Sequence, residues 1–206
     1  MKLRLGISLL LLLTFAAGKG KIEPDAINLS NGIAESPYFK FHYAFPQGWA
    51  LRDDPVRMQH NRKQHEDAVK KARAQNPPNT PNRTTTTQVL WQYDLLLAAP
   101  AAVPASGYPP EPYVHVWAAE RNSITKEPGD HAKLLMKIGM MKELHSPEKQ
   151  TIGGQEFVRT DMVFKEVYIS MFDTLSGDYL LCFEFRARNE QEMNTLANTM
   201  QSIKFD

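Results

Sequence analysis

The stretch Glu166–Phe185, EVYISMFDTLSGDYLLCFEF, carries the reading of the fold. Runs rich in apolar and aromatic residues stand on either side of Leu175-Ser176-Gly177-Asp178, and the glycine supplies the permissive backbone that a tight hairpin needs. Two strands follow, at about 166–174 and 179–187, and a third at about 156–164 precedes them. Asn189, with Glu192 three residues on, then has the spacing of a helix cap, and Met193, Leu196, Ala197, Met200 and Ile203 form one apolar stripe. Three antiparallel strands closed by a helix predict an α+β fold.

Working toward the amino terminus, Leu134, Leu135, Ile138 and Met141 recur at helical spacing after Asp130, which predicts a helix over 130–144. Strands are predicted at 113–119 and at 87–98, the latter with Val89, Trp91, Tyr93, Leu95 and Leu97 on one face. A proline- and alanine-rich connection, 99–112, lies between them. Phe39, Phe41, Tyr43 and Phe45 alternate with other residues up to Pro46, another strand. Residues 53–75 read as a helix capped by Asp53 or Asp54, with Pro55 in its first turn. Its apolar stripe is poor, so it is expected on the surface, held by its two ends. Prolines and four threonines over 76–86 end it in a loop.

The chain begins with Lys2 and Arg4, an apolar run from Leu5 to Phe15, and then Ala16, Ala17 and Gly18. That is the order of a cleavable signal peptide over 1–18, and the run is about half the ~20 residues needed to span a bilayer. Cleavage would change the formal charge from +1 to −1, and the mature protein is expected to be periplasmic or secreted, without a transmembrane segment. Near-neutrality argues against a nucleic-acid partner. Residues 19–36, short of large apolar side chains, read as a flexible leader. One domain is expected over 37–206, large enough to bury about 70% of its unfolded surface. Cys182 is the lone cysteine, so stability rests on the core rather than on an internal disulfide.

Several segments together resemble a known family: Phe45-Pro46-x-Gly48-Trp49, Ile152-Gly153-Gly154-x-x-Phe157, Gly177-Asp178-Tyr179 leading into Leu180–Phe185, and Ser202-Ile203-Lys204-Phe205. The pattern is similar to PsbP-like domains, found in extrinsic proteins of the photosystem II lumen and in many exported bacterial proteins; the same fold occurs in a Ran-binding nuclear import factor. The resemblance covers most of 37–206 and departs from the family at about 52–86, where a polar helix and loop look inserted. It implies a central, mainly antiparallel sheet flanked by helices, an α/β/α sandwich. It also implies binding or assembly roles without a shared catalytic set.

Arg57, Arg62, Lys63, Lys70, Lys71 and Arg73, with Arg83 beyond, outweigh Glu66 and Asp67 to give a local charge of +5. This patch could meet an anionic envelope component or an acidic protein, or be a solvated face with partners four residues away. Tyr113, His115 and Trp117, with apolar bodies and polar tips, read as a candidate protein interface. Phe39, Phe41, Tyr43, Trp91 and Tyr93 would line either a ligand pocket or the core. No metal site is predicted: His60 and His65 lie ~140° apart around a helix, and His42 and His115 stand on separate strands. No catalytic residue is assigned. Cys182 reads as an inert small hydrophobe, and Asp161, Asp173 and Glu184 would serve a hydrolase only by converging in one cleft, otherwise pairing with Arg159, Arg186 and Arg188. No glycine-rich phosphate loop is present, and no cofactor is expected. The expected function is a non-enzymatic binding or assembly module of the bacterial cell envelope, with a carboxylate hydrolase of envelope polymers or a carrier of a small apolar ligand as alternatives.

Overall fold

The computed structural model describes residues 22–52, 54–75, 92–100, 102–104, 107–122 and 125–206; the segment expected to be a signal peptide, Val89, Trp91 and the loop 76–86 lie outside them. In chain order the elements are β1 (Asn28–Ser30), β2 (Ile33–Ser36), β3 (Phe41–Ala44), β4 (Ala50–Leu51), α1 (Asp54–Gln75), β5 (Gln92–Ala99) and β6 (Tyr113–Glu120). After these come α2 (Asp130–Lys137), β7 (Lys142–Ile152), β8 (Gln155–Phe164), β9 (Val167–Ser176), β10 (Tyr179–Ala187), α3 (Glu190–Ala197), a 3₁₀ turn (Asn198–Ser202) and β11 (Lys204–Phe205). The fold is α+β, with two antiparallel sheets ordered β1-β2-β3-β11 and β4-β5-β6-β10-β9-β8-β7. Among the described residues no helix is long and apolar enough to cross a membrane.

The hairpin at Gly177, whose φ is 57°, sets Phe183 opposite Phe172, while β6 sets Val116 opposite Phe183 from the other side. These residues share one face of the larger sheet with Phe157, Leu181 and Phe185, and pack against Met193, Leu196 and Met200 and against Phe41 and Tyr43 of the smaller sheet. The rings meet edge to face, Phe41 at 5.3 Å and Tyr43 at 5.5 Å from Phe183, the geometry favoured by their quadrupoles. Asn189 caps α3 as expected, its Oδ1 accepting from the Glu192 N–H at 2.8 Å. The opposite face carries Trp117, Met162, Ile169, Met171, Leu180 and Cys182, joined by Ala132, Leu135 and Met136 of α2.

Three expectations are corrected. The helix expected over 130–144 ends at Lys137: Gly139 takes φ 74°, its N–H bonds the Met136 carbonyl and the Met140 N–H bonds that of Leu135. This is a Schellman stop, and it leaves Ile138 56% exposed. Residues 142–144 open β7 instead, a largely exposed edge strand without apolar alternation. The flexible leader read over 19–36 contains a hairpin at 28–36, turned by Asn31 (φ 50°) and Gly32 (φ 76°), with Ala34 and Ser36 buried against β3. Finally, β5 does not keep one face, because its register with β6 shifts between Asp94 and Leu96. A bulge of this kind re-aims the residues around it; Leu95 and Leu96 both enter the first core, and Leu97 enters a cluster with Tyr113.

The turn between β7 and β8 yields a sharp test. Gly153 and Gly154 both have positive φ, but a Cβ on Gly153 would lie 2.7 Å from the Ile203 carbonyl oxygen, whereas one on Gly154 meets nothing. Gly154→Ala should cost ~1 kcal/mol, for the left-handed backbone alone, and Gly153→Ala ~3 kcal/mol, because backbone must move as well. Urea denaturation of the two variants measures the difference.

Candidate functional site

Alternation along β6 places Tyr113, His115 and Trp117 on the second face of the larger sheet, beside Cys182, Glu184 and Arg186 of β10. The bulge in β5 turns Asp94 toward the same face, where it becomes a hub. Its carboxylate accepts from Arg52 Nη1 at 3.2 Å and lies 2.9 Å from His115 Nε2 and 3.4 Å from His60 Nε2. Burial works to raise the Asp94 carboxyl, but the His115 hydrogen bond and the charges of His115, His60 and Arg52 hold it below its ordinary value.

The backbone of Asp94 is clasped too. Asn61 Oδ1 accepts from its N–H at 2.9 Å, while Asn61 Nδ2 and Arg57 Nη1 each donate to its carbonyl at 3.0 Å. Arg57, His60 and Asn61 are spaced i, i+3, i+4, one face of α1. Among the described residues the helix therefore docks by a polar stripe in its first two turns.

A second cluster adjoins the first. Glu184 accepts from Trp117 Nε1 at 3.3 Å and from Arg186 Nε. Burial would raise its pKa, yet Arg186, His115 and these hydrogen bonds keep it lowered. The Arg186 guanidinium lies 5.6 and 5.5 Å from the ring centres of Tyr108 and Tyr113, which stack on each other. His131 of α2 meets Trp117 edge-on at 5.1 Å, and burial lowers its pKa, against the opposing charge of Glu184. Between sheet and α2 lies a cavity of about 220 Å³, with His115, Glu184 and Arg186 at one end and Leu135, Met140, Met141, Met162, Ile169 and Met171 along its walls.

The candidate interface is corrected by this geometry. Tyr113, His115 and Trp117 are each only 1% exposed, because Tyr108 covers the first two and α2 the third. Arg57 likewise leaves the basic patch: it is 3% exposed and also donates to the Asp25 carbonyl at 2.7 Å. Arg62, Lys63 and Lys70 are exposed, Lys63 lying 3.5 Å from Asp67; the side chains of Lys71 and Arg73, and the whole of Arg83, fall outside the described residues. Phe39, Phe41 and Tyr43 are core.

His60 and His115 meet at Asp94; His42 pairs with Asp206 instead, and the side chain of His65 falls outside the described residues. The three strand acids do not converge. Asp161, paired with Ser170 across β8 and β9, lies on the first face and binds Arg159, whereas Asp173 and Glu184 lie on the second. Arg188 pairs with Glu192. Burial, then the Asp173 charge, push the Cys182 thiol well up, which opposes a thiolate nucleophile. Asp94, the residue on which the site turns, went unremarked in the sequence; its signal was an acid inside the buried run Asp94–Ala99.

No family model and no curated protein sequence matches the chain. Among solved structures it is similar to the solution structure of cyanobacterial PsbP (CyanoP) from Synechocystis sp. PCC 6803, at 10% sequence identity and a TM-score of 0.46, over 91% of this chain and 96% of that one.

Proposed function

We propose that this protein is an exported, non-enzymatic binding module of the bacterial cell envelope, periplasmic or secreted, that carries a small, largely apolar ligand between its larger sheet and α2. The observation that carries the reading is the cavity of about 220 Å³ between Trp117, Glu184 and Arg186 on the sheet and Leu135 on the helix. A cavity of ~150 Å³ holds benzene, so this one admits a ligand of roughly ten heavy atoms. Four methionines line it, and thioether side chains adapt to apolar guests of different outline. The polar end suits a ligand with one hydrogen-bonding group.

In this reading α3 and α2 cover opposite faces in an α/β/α sandwich of the PsbP-like kind, and the separation of Asp161 from Asp173 and Glu184 favours binding over carboxylate hydrolysis. Arg62, Lys63 and Lys70 are left to meet an anionic envelope partner. The opening Lys2–Gly18 segment supports export.

Indole serves as a probe of the cavity. Native mass spectrometry should show a one-to-one indole complex with the wild type that is lost in Leu135→Trp, which fills the gap from the helix side. A wild type that takes up no indole at millimolar concentration, or a variant that binds it equally well, removes the carrier reading.

A further inference from the structure

A second cavity, of about 230 Å³, opens on the other face of the sheet and differs in kind: it is lined by His145, Ser146, Glu148, Arg159, Asp161 and Asn194. The edge strand β7 changes register against β8 twice there, between Glu143 and His145 and between His145 and Glu148. Bulges in succession bend an edge away from its neighbour and aim side chains into the gap. Arg159 and Asp161 rise from β8 beneath it, and Asn194 reaches it from α3.

Its floor is polar. Asp161 is 6% exposed, and its Oδ1 accepts from Arg159 Nε at 2.9 Å and from Ser170 Oγ at 2.6 Å. Its Oδ2 receives no hydrogen bond among the described residues. Arg159 Nη2 donates to Asn194 Oδ1 at 2.6 Å and the guanidinium lies 5.5 Å from the Phe172 ring centre, which holds its plane. Arg159 Nη1 donates to nothing among the described residues. Asp161 Oδ2 and the Arg159 Nη1 N–H are thus left at the cleft, one able to accept and one to donate.

The chemistry of the lining selects the guest. An anion would face Asp161 and Glu148, with Glu190 beside His145 at 3.0 Å, against the single arginine. An apolar guest would strand polar groups without partners, at 1–3 kcal/mol each. A hydroxyl both donates and accepts, so two adjacent hydroxyls can donate a hydrogen bond to Asp161 Oδ2 and accept one from Arg159 Nη1. A cavity larger than the ~150 Å³ that holds benzene has room for a sugar ring of about twelve heavy atoms. We infer that this cleft binds one neutral hexose unit, either as a free sugar or as the end of a glycan. The inference is independent of the carrier cavity, which lies on the opposite face.

The test is nuclear magnetic resonance on the exported chain, following the Arg159 Nε–H and Asn194 amide signals. The probes are glucose, galactose and N-acetylglucosamine, their oligomers, and glucuronate. At least one neutral sugar should move both signals with a millimolar dissociation constant, and Asn194→Ala, at a helix position outside the core, should weaken it ~10-fold. Asp161→Asn should abolish it, with Trp117 and Phe183 signals reporting that the fold is kept. Tighter binding of an oligomer than of its monomer assigns the site to a glycan end; equal binding assigns it to the free sugar. No shift with any neutral probe at about 100 mM, preference for glucuronate, or binding unchanged in Asn194→Ala overturns the proposal.

Discussion

Asp94→Ala is expected to cost about 4 kcal/mol and to loosen α1 from the sheet. Asp94 is buried and its carboxylate faces Arg52, His60 and His115, of which Arg52 and His115 are themselves buried. Removing one partner of a buried charged pair leaves the other uncompensated, a loss of roughly 3–5 kcal/mol, whereas replacing both by apolar groups of similar size is often neutral. The double variant Arg52→Met, Asp94→Leu should therefore recover most of what Asp94→Ala loses. The residue 94 backbone can still accept from Asn61 and Arg57, so α1 should redock in the double variant, where no uncompensated Arg52 charge pulls the hub apart. Urea denaturation gives the stabilities, and amide exchange across Arg57–Asn61 reports the docking. Equal destabilisation in the two variants would mean that the charges at this hub are not what ties the helix down.

The same hub shows what sequence periodicity can and cannot reveal. β8, β9, β10 and α3 were legible because each announces itself locally: runs rich in apolar and aromatic residues, a glycine at the Gly177 turn, and an asparagine cap at Asn189 with its apolar stripe. Asp94 was not legible, because its orientation depends on a bulge that exists only when β5 pairs with β6; without it Asp94 would share a face with Leu96. The docking of α1 was hidden for a related reason. Arg57, His60 and Asn61 form no apolar stripe, yet Arg57 and Asn61 hold the helix by hydrogen bonds to a strand 33–37 residues away, and His60 lies 3.4 Å from the same strand's Asp94 carboxylate. Tyr113, His115 and Trp117 have the polar tips of a wet interface, but Asp94 meets the imidazole Nε2 and Glu184 the indole N–H from neighbouring strands. β7 escaped notice because an exposed edge strand has no buried side to impose alternation.

Asp173→Asn should stabilise the protein, in a pH-dependent way that separates it from Asp94 and Glu184. Asp173 accepts from the Gly129 N–H at 3.0 Å through Oδ2, while its Oδ1 has no hydrogen-bond partner among the described residues. Burial pushes its carboxyl from 3.8 up to about 6, more than the Cys182 thiol and the Gly129 amide pull it back, and the Glu184 charge adds to the rise. Below about pH 4 the group is protonated in both folded and unfolded chains and carries no penalty. As the pH rises from 4 to 6 the unfolded chain releases this proton first, so stability drains away; above 6 the penalty is constant, ~3 kcal/mol if the full shift is expressed. Asparagine keeps an acceptor for Gly129 and cannot ionise. The stability difference between Asp173→Asn and the wild type should accordingly be near zero at pH 4, grow across the 4–6 window, and level off above it, as measured by urea denaturation at each pH. Glu184 and Asp94 have lowered pKa values, so their contributions have the opposite sign: present at neutral pH and lost on acidification. A variant less stable than wild type at pH 7 would show that ionised Asp173 is held by favourable contacts, and that the polar groups of this face stabilise the fold as charges throughout.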